Sequence, residues 1–309
     1  PDPLAPKDDD RGVAVNNIDV NEASPYAVFT VSGTAGQSVS LALQNDSNPL
    51  TNNATLGTDA GTALQYFDGS AWVNYTGGTV TLPAGGKLLV RTTVSQDTVY
   101  EGPETFNLAV TPAGGTAAYG TATILDDGTG NIYPNNNTGT PDPNAAKDDD
   151  RAVQVDDILV NEASPYAVFS VQGSAGQALA LSLQNDTDPA TANATLGVDS
   201  GTRLQYFNGL GWADYTGGTV NIPASGVLLV RTTVVNDSTY EGAETLQLKG
   251  TPTSGTTVYG TATIVDDGTG NVYPDNTTGN RDPDAKLDDD RAIKVNDIDV
   301  NERSPYVVF

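Results

Sequence analysis

One interval governs this chain. Arg11, Arg151 and Arg291 stand 140 residues apart, each behind three aspartates. Glu22, Glu162 and Glu302 keep the same step, and so do Trp72 and Trp212, Asp97 and Asp237, and Asp126 and Asp266. No insertion or deletion breaks the register over two full copies. A fixed long period builds an array of like units, and arrays serve length and attachment. The spacing divides the 309 residues into the end of a preceding linker (1–10), a repeat (11–127), a linker (128–150), a second repeat (151–267), a second linker (268–290) and the first strands of a third repeat (291–309). Each complete copy is long enough to enclose one core.

Composition narrows the chemistry. There are 14 basic and 39 acidic residues, a formal charge of −25. Such a surface repels nucleic acid and anionic lipid, which need Lys and Arg partners. No run of about 18 apolar residues offers a membrane span. The sequence has no Cys and no His. Disulfide staples are therefore absent, the usual zinc, copper and non-haem iron ligands are missing, and nucleophile–histidine catalysis has no base. What remains abundant is oxygen, the ligand set of calcium. No signal peptide and no initiating Met is visible, as in a mature or internal segment.

The local pattern is β throughout. Val13–Val15, Tyr26–Val31, Val39–Leu43, Leu64–Phe67, Trp72–Tyr75, Thr79–Leu82, Leu88–Val94, Thr105–Val110 and Thr121–Leu125 cluster β-formers between Gly, Asn, Asp and Ser. None has a helical period. Asp68-Gly69, replaced by Asn208-Gly209 in the second copy, reads as a tight hairpin turn whose need is backbone freedom rather than side-chain chemistry. Seven to nine strands per unit suffice for two packed sheets. The Asn-, Asp-, Gly- and Pro-rich stretch after Asp127 resembles a flexible linker in composition. Its copy nonetheless preserves spacing, acidic positions and an apolar pair (Ile132-Tyr133, Val272-Tyr273), which predicts order.

Three acidic signals recur in each unit. Asn21-Glu22 is placed at the start of the strand continuing into Tyr26. Asp97, Glu101 and Glu104 share a loop between two late strands, and Asp126-Asp127 closes the last strand. If strand ends gather these groups at one pole, two like charges about 4 Å apart repel by roughly 4 kcal/mol near a protein surface. A calcium ion, taking about six to eight oxygens, turns that repulsion into a cross-link. The bland reading is a set of solvated loop acids that confer solubility.

The order Asn21-Glu22, Ala54 to Asp59, Gly78 to Gly85, Asp97 to Phe106 and Gly120 to Asp127 resembles a Calx-beta domain over most of each repeat. The resemblance implies tandem immunoglobulin-like β-sandwiches, an all-β fold. It also implies Glu22, Asp59, Asp97, Glu101, Asp126 and Asp127 as candidate calcium ligands, with Glu162, Asp199, Asp237, Glu241, Asp266 and Asp267 in the second copy. The family's Asp-Tyr before the Thr-Val strand is interrupted here by a hairpin, so either Asp59 or residue 74 takes that ligand place. Asp142, Asp148, Asp149 and Asp150, with Asp288, Asp289 and Asp290 in the copy, have no family counterpart. They form either a second, interdomain cation site with Asp126 and Asp127 or a cap on the next strand with Arg151 as a salt bridge.

Trp72 reads as a core residue rather than a sugar platform. Sequons at Asn53, Asn74 and Asn193 permit glycosylation without indicating it. Lys87 aligns with Val227 and Lys249 with Ala109, so no lysine is held for an intramolecular isopeptide bond. Single acids in repeating loops build no unique cleft, and no enzyme is expected. The sequence therefore predicts a structural segment of an extracellular fibre, sheath or adhesin stalk on a bacterial surface, stiffened by calcium at poles and linkers. Its partners are further repeats of the chain or neighbouring copies, strand donation included. A glycan- or protein-binding module and a calcium sensor are the alternatives.

Overall fold

The computed structural model describes residues 11–309, so the expected linker end at 1–10 lies outside the described residues. Along the chain the boundary between two compact units falls at Ala152–Val153. The first holds eleven strands: β1 (Ala14–Val15), β2 (Ile18–Asn21), β3 (Tyr26–Ser32), β4 (Ser38–Asn45), β5 (Asn52–Asn53), β6 (Gln65–Phe67), β7 (Trp72–Asn74), β8 (Val80–Thr81), β9 (Lys87–Thr93), β10 (Glu104–Pro112) and β11 (Ala118–Leu125). One sheet runs β1-β3-β9-β6-β7 and the other β2-β11-β10-β4-β8, with β5 alongside β10. The second unit repeats both orders from Gln154–Val155 to Val258–Val265. The architecture is all-β, a sandwich in each unit.

Eleven strands exceed the seven to nine that the pattern predicts. The excess lies in two-residue pairings such as β5 and in β2, too short for an alternation to declare itself. The long strands follow their residues. In β3 the consecutive Ala27, Val28 and Phe29 are all buried, and in β10 burial is continuous from Thr105 to Val110. Central strands covered on both faces lose the clean alternation of a half-exposed one. Phe29 and Phe106 meet edge-on between the sheets, ring centres 6.0 Å apart at 78°, a favoured aromatic geometry.

Two crossings between the sheets position everything that follows. After β1 the chain leaves the first sheet at Asn16-Asn17, where Asn16 Oδ1 accepts the Thr30 N–H (2.6 Å) and Asn17 Oδ1 the Thr121 N–H (2.9 Å). β2 then runs parallel to β11, pairing Ile18 with Ala122 and Asn21 with Leu125. It returns to the first sheet through Glu22–Pro25. Glu22 therefore does not open the strand of Tyr26. It sits in the turn after β2, because Pro25 has no N–H to continue a ladder.

Residues 128–150 are a strap on the sandwich they follow. Asn131 pairs with Val20 and Tyr133 with Tyr26, and Ile132 and Tyr133 are buried. Gly130, at φ +83, passes so close to β2 that a Cβ there would lie 2.6 Å from the Asn21 nitrogen, so only glycine fits. Further on, Asn136 O accepts the Trp72 indole N–H at 2.8 Å. The strap then returns to its point of departure. Gly128 N–H donates to Asp148 O (2.8 Å) and Asp150 N–H to Asp126 O (2.9 Å).

The β6–β7 connection corrects a detail. Phe67 pairs with Trp72, so four residues rather than a two-residue turn link the strands. Asp68 Oδ1 accepts the N–H groups of Ser70 and Ala71, both at 2.8 Å. Asn208 Oδ1 does the same for Leu210 and Gly211. The Asp/Asn exchange thus preserves one side-chain oxygen as well as the glycine beside it, whose φ is +101 at Gly69 and +92 at Gly209.

Residues 291–309 repeat the sequence of β1 to β3 but form no strand, and Ile293, Tyr306 and Phe309 are exposed. In the complete units β2 rests on β11 and β3 on β9.

Candidate metal centre

The acidic signals converge on one end of each sandwich, in two adjoining groups. The inner group is Asp59, Glu101 and Glu104. Asp59 caps its own loop, its carboxylate accepting the Thr55 N–H at 2.5 Å. Glu101 comes from the β9–β10 loop and Glu104 opens β10. The outer group is Glu22, from the β2–β3 turn, with Asp148 and Asp150, from the strap's end. Within each group the three ligand oxygens lie within 4.8 Å of one another. Oxygens that share a calcium ion at 2.3–2.6 Å are at most about 5 Å apart, so both groups have the required compactness. Asp126 stands between them, and Glu22, Asp59, Glu101, Glu104 and Asp126 line one cavity of about 10 Å3. That is the space of a single water-sized particle.

The second unit repeats the plan. Asp199, Glu241 and Glu244 form its inner group and Glu162, Asp288 and Asp290 its outer one. Asp237 joins Glu162 and Glu241 in a third combination. Its cavity, beside Glu162, Asp199, Glu241, Glu244 and Asp266, is also about 10 Å3.

Burial distinguishes the outer group and Asp126 from solvated loop acids, whereas in the inner group Asp59 and Glu104 are half-buried and Glu101 is exposed. Asp148 is 1% exposed, Asp126 4%, Glu22 7% and Asp150 7%. Asp126 Oδ1, Asp148 Oδ2 and both carboxylate oxygens of Asp150 have no hydrogen-bond donor, and Asp266 Oδ1, Asp288 Oδ2 and Asp290 Oδ2 repeat the condition. A buried carboxylate without a partner is costly, and proteins ordinarily pair it or give it a metal. Burial, with Asp148, Asp97 and Asp126 nearby, pushes the Glu22 carboxyl up to about 8. Burial and Asp148 push Asp150 up to about 7, and burial with Asp59 and Glu101 does the same to Glu104. Burial also raises Asp126, against the Glu101 N–H that its Oδ2 accepts at 2.7 Å. Every shift points the same way: the fold resists negative charge where it has gathered carboxylates.

Asn21 holds the two halves together. Its Nδ2 donates to Leu125 O (3.2 Å), Thr129 O (2.8 Å) and Asp148 O (3.0 Å). Its Oδ1 accepts from Ala23 N–H (3.1 Å) and Asp148 N–H (2.7 Å). One buried amide thus fixes β2, the end of β11 and the strap, and Asn161 repeats the pattern. Asp97 stands beside the outer group, its N–H donating to Glu22 Oε1 at 3.1 Å while its own Oδ1 caps Val99.

Other candidates go elsewhere. Asp127 turns to Thr129, accepting its N–H and hydroxyl, and Asp267 does likewise with Thr269. Asp149 binds Arg151 through two contacts (2.8 and 2.6 Å), and Asp289 binds Arg291. The salt-bridge alternative therefore holds for the middle aspartate of each triplet, and its two neighbours turn to the carboxylate groups. Asp142 caps Asn144. Residue 74 does not take the disputed ligand place. Asn74 pairs with Gln65 on the hairpin, as Asp214 does with Gln205. Glu104 belongs to the acidic loop signal but not to the ligand set that the Calx-beta resemblance implies; the structure brings it, and Glu244 in the copy, into the inner group.

The Trp is neither fully core nor free. Arg91, 4% exposed, lies between the Tyr26 ring (3.7 Å) and the Trp72 ring (4.1 Å). It donates to Gln65 Oε1 and, on the strap, to Asn135 Oδ1, both at 2.8 Å. Arg231 repeats this with Tyr166 and Trp212, and pairs with Asp275 at 2.7 Å. Arg91→Lys should lower the urea midpoint by the equivalent of about 1–3 kcal/mol, because an ammonium cannot stack flat between two rings while filling a fork. An unchanged midpoint would remove this clamp from the account of the strap.

No family model matches the sequence, and no curated protein matches it. Solved structures that superpose on the chain include the D00-D0 domain of intimin (7% identity, 82% of this chain and 100% of that one, TM-score 0.34). Mouse clustered PcdhgC3 EC1-3 superposes at 10% identity, over 83% and 68%, with a TM-score of 0.36. The tetra-tandem repeat in the extending region of a large adhesion protein does so at 12%, over 82% and 73%, with a TM-score of 0.21. These superpositions are loose, and the sandwich assignment stands on the strand order and pairing given above.

Proposed function

We propose that the chain is a structural segment of an extracellular fibre, sheath or adhesin stalk whose β-sandwich repeats are locked by calcium at their acidic ends. The observation that carries this reading is the set of buried, donor-less carboxylate oxygens on Asp126, Asp148 and Asp150, repeated one period later. Their hardness and the irregular spacing of the groups suit calcium, which accepts many oxygens in flexible geometry, better than magnesium with its strict octahedron. The Calx-beta-like order of motifs supports the same ion. The period supports a mechanical role, since an array repeats one device at fixed distance where a catalyst needs a single cleft. The strap ends at Asp150, close to Val153 where the next unit begins, so whatever fixes the strap fixes the exit of the chain.

Calcium titration of the whole chain by calorimetry tests this reading. Binding should be saturable, and the melting temperature should rise by roughly 8 °C per unit at a hundredfold excess over Kd, the effect of about 2.7 kcal/mol on a domain of this size. Unaltered melting in millimolar calcium, with no binding heat, would dispose of the calcium reading.

A further inference from the structure

We infer that each unit carries two separable cation sites, and that the outer one is a latch closing the strap onto the sandwich. This rests on the calcium reading above and adds to it which residues form the latch and what the ion controls. The inner group, Asp59, Glu101 and Glu104, belongs to the sandwich alone. The outer group cannot exist without the strap, which supplies Asp148 and Asp150 to Glu22.

The strap's fastenings are uneven along its length. Its first half is held by apolar and aromatic contacts that need no ion: buried Ile132 and Tyr133, the Trp72 indole on Asn136 and Arg91 on Asn135. From Thr140 to Lys147 nearly every residue is exposed or half-exposed. The chain then plunges, and Asp148 and Asp150 are the most buried acids of the strap. Asp148 Oδ1 has the Gln96 amide at 2.9 Å, but its Oδ2 and both oxygens of Asp150 are donor-less, and one oxygen of each aspartate lies within 4.8 Å of a Glu22 oxygen. The backbone there is secured by Asn21 and by the pairing of Asp150 with Asp126. Without a cation these hydrogen bonds must hold three carboxylates together against their own repulsion. With one, the same three groups become ligands. The second half of the strap is therefore the part whose closure the ion decides.

The test uses the full chain with two sets of substitutions. D148N/D150N with D288N/D290N removes the outer ligands of both units and keeps every backbone hydrogen bond of the latch. E104Q/E244Q removes an inner ligand from each. Asparagine and glutamine relieve repulsion, so both variants should fold, which circular dichroism in chelator verifies. Bound calcium is counted by equilibrium dialysis, and amide exchange is followed over residues 140–150 and 280–290. In the wild type, calcium should slow exchange there by about tenfold or more. The outer variant should bind one ion fewer per unit and lose the calcium-dependent part of this protection. The inner variant should also bind fewer ions but keep it. If the outer variant binds as many ions as wild type, or wild-type exchange at 140–150 ignores calcium, the latch is overturned while the inner calcium site stands. A wild-type chain that binds no calcium overturns both.

Discussion

In chelator, the melting temperature of the chain should fall as pH rises from about 5 to about 8. The folded ends hold Glu22 near 8, and Glu104 and Asp150 near 7, against ordinary values of 4.5, 4.5 and 3.8. Glu162 and Glu244 in the second unit are pushed to about 7. Above the unfolded values the unfolded chain has released these protons and the folded chain still keeps them. The native state then binds more protons, and stability drops with pH until each folded value is passed. Each such group contributes a slope of about 1.4 kcal/mol per pH unit inside its window. Saturating calcium should flatten or reverse the trend, because it binds the ionised form and displaces the protons. The gap between calcium and chelator melting curves should therefore be small near pH 4.5 and widest near pH 8. A chelated protein that melts at the same temperature across this range would mean that the carboxylates are not buried together as described.

Asn21→Ala, made together with Asn161→Ala, should destabilise each unit strongly. Removing the amide takes the acceptor from the buried Asp148 N–H and the half-buried Ala23 N–H and the donor from Thr129 O, while Leu125 O keeps the Glu22 N–H and Asp148 O the Gly128 N–H. Each buried group left unpaired costs about 1–3 kcal/mol, and water can rescue only those nearest the surface, so a loss of about 3 kcal/mol or more is expected. Asn21→Asp should be worse at neutral pH. It keeps Oδ1, but sets an anionic oxygen against three carbonyl oxygens and adds a charge beside Asp148. Urea denaturation with and without calcium measures both effects, and calcium affinity should fall in parallel, since Asp148 is located by this amide. If the Ala variant matches wild type within about 0.5 kcal/mol, the range of an ordinary surface substitution, Asn21 is not the fastening that joins strap and sandwich.

Much of the fold was legible locally. The long strands β3, β4, β9 and β10 announce themselves because Val, Leu, Phe and Thr concentrate where the chain must be covered. The hairpin was legible from Asp68-Gly69, although its length was not, because pairing of Phe67 with Trp72 depends on how β6 sits against β9. β2 escaped notice for a different reason. Four residues, Ile18 to Asn21, form a strand only because β11 lies parallel to them, and that partner is over a hundred residues away in sequence. The misplacement of Glu22 at a strand start followed directly.

The period, the acidity and the absence of His and Cys determined by themselves that this is an array of oxygen-rich domains and that any metal it holds is a hard one, because residue type sets donor chemistry without help from the fold. The preserved Ile132-Tyr133 pair even signalled that the stretch between repeats is ordered. Which acids meet was decided by tertiary structure alone. Asp148, Asp149 and Asp150 are identical in type and adjacent, yet alternation along an extended backbone sends the middle one to Arg151 and the outer two toward Glu22. Asp126 and Asp127 divide in the same manner. Adjacent side chains on a strand point to opposite faces, and only the packed sandwich determines which face carries the other carboxylates.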